Sequence, residues 1–307
     1  MFDVRSSKLK SGSLLESNLE PRILNFSELS SVGRKGKLTL MYVRQGPRTV
    51  LSRSSCRTPW HLFPPIYLDE TGCAYTLLLN PSGGLVGGDH LAIDLSLGTR
   101  AHVLMSTPSA NKVYRSLGAP SAQVIEISVG PDAILEWIPE PTIPFAGSRF
   151  RQAVQVTLEP GATAVLWDAI ASGRIAGGER WAFASLDNEI RIRTASGASV
   201  LERYMLCPDD RSGGVGLVEP WNYVASFYAV GDAIGEEAWK RLEEKLALIL
   251  DERSGRILGG VSQPAVPGLA VKLVARSAPD LAAAQQRLWA AVRRELWNLP
   301  PVVWRKY

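Results

Sequence analysis

The sequence predicts a mainly β protein, a large body of stacked strands that carries two α-helices in its C-terminal half. Three observations lead there. Apolar and polar residues alternate with period two along much of the chain, as at Val154, Val156 and Leu158, and that period marks a strand with one buried face. Turns rich in Gly, Pro, Asn or Asp separate these runs at fairly regular spacing. Helical periodicity is confined to two late stretches.

In chain order, the first residues are rich in Ser and poor in large apolar side chains, so 1–30 is expected to be loose and 31–307 to form a single domain. Strands are then expected at 38–43, 75–80, 91–97, 101–107, 124–129, 134–138, 154–158, 164–167, 190–194, 200–206, 224–230 and 271–275. A helix is expected over 236–251, with Trp239, Leu242, Leu246 and Ile249 on one face. A second is expected over 280–297, with Leu281, Ala284, Leu288, Ala291 and Leu296 inward and a start signal in Ser277, Pro279 and Asp280. So many strands exceed an ordinary sandwich, which leaves stacked sheets, a propeller or a β-helix-like coil. No internal sequence repeat is visible, which counts against a propeller or a regular solenoid.

The 307 residues are 46% apolar, enough for a sizeable core, and no run of 18 apolar residues provides a membrane span. With no leader-like apolar stretch at the start, the chain reads as cytoplasmic. Three cysteines (Cys56, Cys73, Cys207) lie far apart, so neither a disulfide framework nor a thiolate metal site is indicated. The net charge of +4 is unevenly placed: from Leu29 to Leu68 there is no acidic residue, but Arg34, Lys35, Lys37, Arg44, Arg48, Arg53 and Arg57 are basic. An acidic partner and a solvated sheet face both account for this. Nucleic acid is not indicated, because no helix-turn-helix, zinc-finger or RRM pattern is present.

The stretch LNPSGGLVGGDHLAIDL places Gly83, Gly84, Gly87 and Gly88 before a strand. A P-loop requires Lys and Ser/Thr after its last glycine, and a dinucleotide site requires a helix there. Asp89 and His90 follow instead, so the glycines are expected to make a tight turn between strands, with Asp89 accepting backbone N–H bonds. His61, His90 and His102 show no zinc-ligand spacing. In AILEWIPEPTIPF, Glu136 and Glu140 flank Trp137 and offer the carboxylate pair of a carbohydrate-active enzyme, provided Pro139 does not break the strand that would put them on one face. Lys112, Tyr114 and Arg115 follow a Pro-containing turn and are candidates to clamp an anion.

Taken in order, NPSGGLVGGD, STPSANKVYRS, ILEWIPEPTIPF, WDAIASGRIAGGERW and LWNLPPVVWRKY resemble the urease accessory protein D family, over about residues 60 to 307. The resemblance implies a β-helix-like stack of strands with two helices and a non-enzymatic scaffold. With the accessory protein UreF and the GTPase UreG, such a scaffold forms a hetero-oligomer that engages apo-urease and helps deliver nickel to its active site. No membrane or nucleic-acid partner is implied, and no tightly bound cofactor: nickel is cargo in transit. The chain departs from the family's usual T-T-P-G-A-T-K with STPSANK, and from its C-terminal P-R-I-W with PVVW, so Val302 replaces an expected arginine. On this reading Gly83, Gly84, Gly87, Gly88 and Asp89, with Thr107, Lys112, Tyr114 and Arg115, shape a partner surface or internal passage. Asp89, Glu136 and Glu140 are weak candidates for oxygen contacts to the moving ion. The rival is a β-helix enzyme acting on carbohydrate through Glu136 and Glu140.

Overall fold

A computed structural model describes residues 34–208 and 220–302. The expectation for 1–30 lies outside the described residues. The strands, in order, are β1 (Lys35–Gln45), β2 (Arg48–Arg57), β3 (His61–Leu62), β4 (Ala74–Leu79), β5 (His90–Leu97), β6 (His102–Ser106), β7 (Asn111–Val113), β8 (Ser121–Val129) and β9 (Ile134–Trp137). They continue with β10 (Thr142–Pro144), β11 (Arg149–Leu158), β12 (Thr163–Ala171), β13 (Ser185–Arg193), β14 (Ser199–Leu206) and β15 (Tyr223–Gly231). Helix α1 (Glu236–Asp251), β16 (Ile257–Ser262), β17 (Gly268–Ala275) and helix α2 (Ala278–Trp297) complete the described chain.

Two sheets result. The first has the order β14-β13-β11-β8-β5-β1-β2; the second runs β16-β17-β15-β12-β9-β6-β4-β3, with β7 and β10 as a side branch. From β4 to β13 the main strands alternate between the sheets, and each pairs in parallel with the equivalent strand of the adjacent coil. Parallel pairing needs a crossover connection, and here the crossover is a strand of the facing sheet. The result is the expected β-helix-like stack. Its rungs are in register, with Ile93, Ile125, Val154 and Ile190 side by side on the inner face. These positions stand at unequal intervals in the chain, which is why no repeat is visible in the sequence.

Three layers follow from the burial pattern. The apolar faces of the two sheets meet in one core, and the far face of the second sheet packs against both helices in another. Trp239, Leu242, Leu246 and Leu250 of α1 and Leu281, Ala284, Leu288 and Val292 of α2 are buried there. Each of these Leu and Val side chains contributes about 1.5–3 kcal/mol relative to exposure. Both helices lie where the sequence places them, and Ser277 caps α2 by accepting from the Asp280 N–H at 3.3 Å. Two strands of six residues or more escape the sequence reading, β2 and β16. Each is a sheet edge, and an edge strand such as RTVLSRSSCR or ILGGVS has little core to face and needs no apolar alternation.

Candidate functional site: an internal polar passage

The glycine-rich connection between β4 and β5 is the tight turn its composition predicts. Gly84 adopts φ +151°, and a Cβ there would sit 2.4 Å from the Lys112 carbonyl oxygen, so only glycine fits. Gly83 and Gly88 also have positive φ. Asp89 closes the turn by accepting the Val86 N–H at 2.9 Å. The turn docks on β7: Leu85 N–H donates to Lys112 O, Tyr114 N–H donates to Leu85 O, and Tyr114 Oη donates to Gly83 O at 3.2 Å. Arg115 packs over Gly147.

Behind this turn the space between the sheets opens into a cavity of about 130 Å³. Its wall contains Gly83 and Gly84, then Thr107 to Lys112, then Trp137, Pro139 and Glu140, and also Asp168. Four motifs separated along the chain thus meet at one end of the stack. Thr107 Oγ1 accepts the Glu140 N–H at 2.9 Å and joins two of them. Gly87, Gly88, Asp89, Tyr114 and Arg115 support the wall without lining it.

A row of polar side chains leads inward from the cavity. Gln123 on β8, Gln152 on β11 and Asn188 on β13 are neighbours in register, and Tyr204 on β14 is opposite Asn188. All four have the parity of the apolar inner face. At about 4.8 Å per strand the row spans roughly 14 Å. It begins at Asn111, whose Nδ2 donates to Gln123 Oε1 at 3.3 Å. From the facing sheet, Asp168 accepts from Gln152 Nε2 at 3.0 Å and from Asn188 Nδ2 at 2.9 Å. Asn188 Nδ2 also donates to Tyr204 Oη at 3.0 Å. The row ends in a groove of about 600 Å³ lined by Glu202, Tyr204, Cys207, Ser226 and Lys272. There Glu202 accepts from Ser226 Oγ at 3.1 Å and from Tyr228 and Lys272.

Asp168 has two amides and no cation in direct contact. Burial pushes its carboxyl up to about 6, and the hydrogen bond from Gln152 only partly opposes this. Burial also raises the Tyr204 phenol, and the negative charges of Asp168 and Glu202 add to the shift. The indole N–H groups of Trp60 and Trp167 at the cavity and of Trp181 at the groove are buried with no protein acceptor among the described residues.

Glu136 is elsewhere. It points from β9 toward the helices, opposite in parity to Trp137, which faces the cavity. Its side chain is fully buried. Oε1 lies 2.6 Å from His102 Nε2 and accepts from Arg293 Nη1 at 2.5 Å, and Oε2 accepts from Trp289 Nε1. Arg293 further donates to Asp69 at 3.2 Å and to the Pro300 carbonyl at 2.8 Å. Burial would raise the Glu136 pKa, but the His102 hydrogen bond and the charges of His102 and Arg293 prevail and hold it below the usual value. Pro139 does break the strand, which ends at Trp137. Glu140 thus lies beyond the strand and lines the cavity, while Glu136 is buried and already bonded by His102, Arg293 and Trp289, so the strand does not present the two as the free carboxylate pair of glycoside hydrolysis.

Cys73, His102 and Glu136 bring potential ligand atoms within 4.8 Å of one another. The carboxylate is already saturated by donors, the Arg293 cation sits against it, and burial with the Glu136 charge pushes the Cys73 thiol well up. That chemistry suits an ion-pair core better than a metal centre.

Asp168, Gln152, Asn188 and Tyr204 are not singled out by motif reasoning. Their signal is present all the same: Asp168 interrupts the apolar run AVLWDAIA, and Gln152 and Asn188 each occupy an inward position among apolar neighbours.

Residues 34–306 match the family described as UreD urease accessory protein. A Urease accessory protein UreD 2 of Streptomyces griseus is 31% identical over 90% of this chain and 95% of its own length. A Urease accessory protein UreD of Cupriavidus necator is 33% identical over 71% of this chain and 75% of its own. A third relative of that name, from Dechloromonas aromatica, is 40% identical over 47% of this chain and 50% of its own.

Proposed function

The chain belongs to the UreD urease accessory protein family, and from that premise we propose that it is a non-catalytic conduit in urease maturation, passing nickel through its interior toward apo-urease. UreF and UreG are its partners in the cytoplasm, and it works as part of their hetero-oligomer. The observation that carries this reading is the polar row from Asn111 through Gln123, Gln152, Asp168 and Asn188 to Tyr204. It is a line of oxygen and amide contacts inside an otherwise apolar core.

The chemistry of the row suits transit. Ni²⁺ is held tightly by imidazole and thiolate, and among the described residues lining the cavity and groove Cys207 is the one such group. Carboxylate, amide and hydroxyl oxygens hold the ion weakly, and weak successive contacts let it leave each position. Asp168 is the one carboxylate within the row; its direct hydrogen-bond donors are neutral amides, and the Lys272 charge acts on it without direct contact. Glu140 and Glu202 stand at the two ends.

The test is the nickel content of urease after incubation with the intact accessory complex. Asp168→Asn keeps the shape and removes the charge. Metal loading should slow on the order of tenfold, the effect of about 1.4 kcal/mol, while assembly with UreF and UreG is unchanged. Normal loading by a normally assembled Asp168→Asn complex would rule out this route.

A further inference from the structure

We propose that the flank of the stack formed by β2 and residues 61–68 is a docking surface for an acidic protein partner. β2 is the edge of the first sheet and β3 the edge of the second, and the two edges are joined here. Tyr67 Oη donates to the Thr49 carbonyl at 2.8 Å, the Arg48 guanidinium lies 4.9 Å from the centre of the Tyr67 ring, and Cys56 Sγ donates to the Trp60 carbonyl at 2.9 Å. Both the apolar and the charged groups of this flank therefore sit on one continuous part of the molecule.

The charge is one-sided. Arg48, Arg53 and Arg57 project from β2, and Lys35 and Lys37 from β1, where Lys37 is in register with Arg57 and Met41 with Arg53. Among the described residues of this group, Lys37 alone has a carboxylate partner, Asp94 at 2.7 Å. The first carboxylate of the following segment, Asp69, is drawn inward to Arg293. Among the described residues, the reading of a solvated face balanced by neighbouring carboxylates is thus met for one of the seven cations of this segment.

Beside these cations, Phe63, Ile66 and Leu68 are 51%, 51% and 40% exposed, and Met41 is 43% exposed. An apolar centre with a charged rim is the anatomy of a protein interface. The outer edge of β2 also carries main-chain groups that no strand of this chain pairs among the described residues. A second copy would set cation against cation. Nucleic acid would use the cations, but its contacts go mainly to phosphate and would leave the apolar cluster unexplained. An acidic protein surface with an apolar projection satisfies both halves.

The accessory reading above supplies the probes for the test. Binding of UreF, of UreG and of apo-urease is measured separately at low and high salt, using the full chain in its assembled complex wherever the partner tested allows. Two variants are compared: Arg53→Glu with Arg57→Glu, and Phe63→Ser with Ile66→Ser. One association should weaken about tenfold or more in both variants. The charge variant should also lose salt dependence, and an acidic-to-lysine change in the partner should restore its binding. All three associations unchanged would overturn the proposal. So would a variant effect that disappears when residues 1–33 are deleted, which would make that segment the occupant. Loss of self-association alone, or of duplex DNA binding alone, would overturn it in favour of a second copy or a nucleic acid. Flank variants that bind normally while Asp168→Asn blocks loading would end this inference and leave the passage standing; the reverse result would do the opposite.

Discussion

Glu136 and Asp168 sit on adjacent strands of one sheet, β9 and β12, and face opposite sides of it. Glu136 faces the helices and is saturated by His102, Arg293 and Trp289, with its pKa held down. Asp168 faces the polar row, takes hydrogen bonds from neutral amides, and has its pKa raised to about 6. The difference is one of electrostatic environment. A carboxylate neutralised by fixed cations has no capacity left for a passing ion, and one that neutral groups hold in a cavity keeps its charge available. Proximity of potential ligand atoms at Cys73, His102 and Glu136 says less than the state of their remaining bonds.

The largest test of this contrast is Arg293→Met. It leaves the Glu136 carboxylate buried without its cation, and unfolding stability should fall by about 3–5 kcal/mol. Changing both partners together, Glu136→Met with Arg293→Met, should recover much of that loss, since the two effects are coupled. Additive losses in urea denaturation would mean that the pair is not the unit described here.

Next in size is the wall of the cavity. Gly84→Ala should cost roughly 1–3 kcal/mol, because a non-glycine residue is strained at this φ and its Cβ would meet the Lys112 carbonyl. The same change should slow nickel loading of urease, whereas Gly197→Ala, also at positive φ but with nothing within 4 Å of its Cβ, should leave loading intact. Equal loading by both variants would remove the turn from the passage.

A smaller effect distinguishes the two carboxylates by sign. The folded pKa of Asp168 is raised from 3.8 to about 6, so its contribution to stability is greatest below pH 3.8 and declines as pH rises through about 6. Relative to wild type, Asp168→Asn should gain stability between those limits. Glu136 has a lowered pKa, so its contribution is present above its ordinary 4.5 and is lost as pH falls below that. The stability difference of Glu136→Gln should therefore shrink in acid. Parallel pH profiles of melting temperature for the two variants would show that the environments do not differ as described.

The smallest expected effect is none. His61, His90, Cys56 and Cys207 are exposed, and replacing them together by Ala and Ser should leave urease activation near wild type. His102 must be spared, because it is bonded to buried Glu136. Loss of metal transfer in the four-residue variant, with assembly intact, would show that a discrete ligand site exists.

Much of this was legible in the chain. The alternating strands, both helices, the glycine turn and the Asp89 cap all rest on local rules of period and backbone conformation. Those rules operate within a few residues, so they survive being read in isolation. The edge strands β2 and β16 were not legible, because a strand with little core to cover carries no apolar period. The polar row was hidden for another reason. Asp168 comes from one sheet, where it interrupts an apolar run, and Gln152, Asn188 and Tyr204 come from three alternating strands of the other, where each takes an inward position. Only the register of the coils brings them together. The sequence by itself determined which side of each strand would be buried. Whether a buried carboxylate meets an arginine or an amide depended on the tertiary structure, because electrostatic environment is set by neighbours distant in the chain.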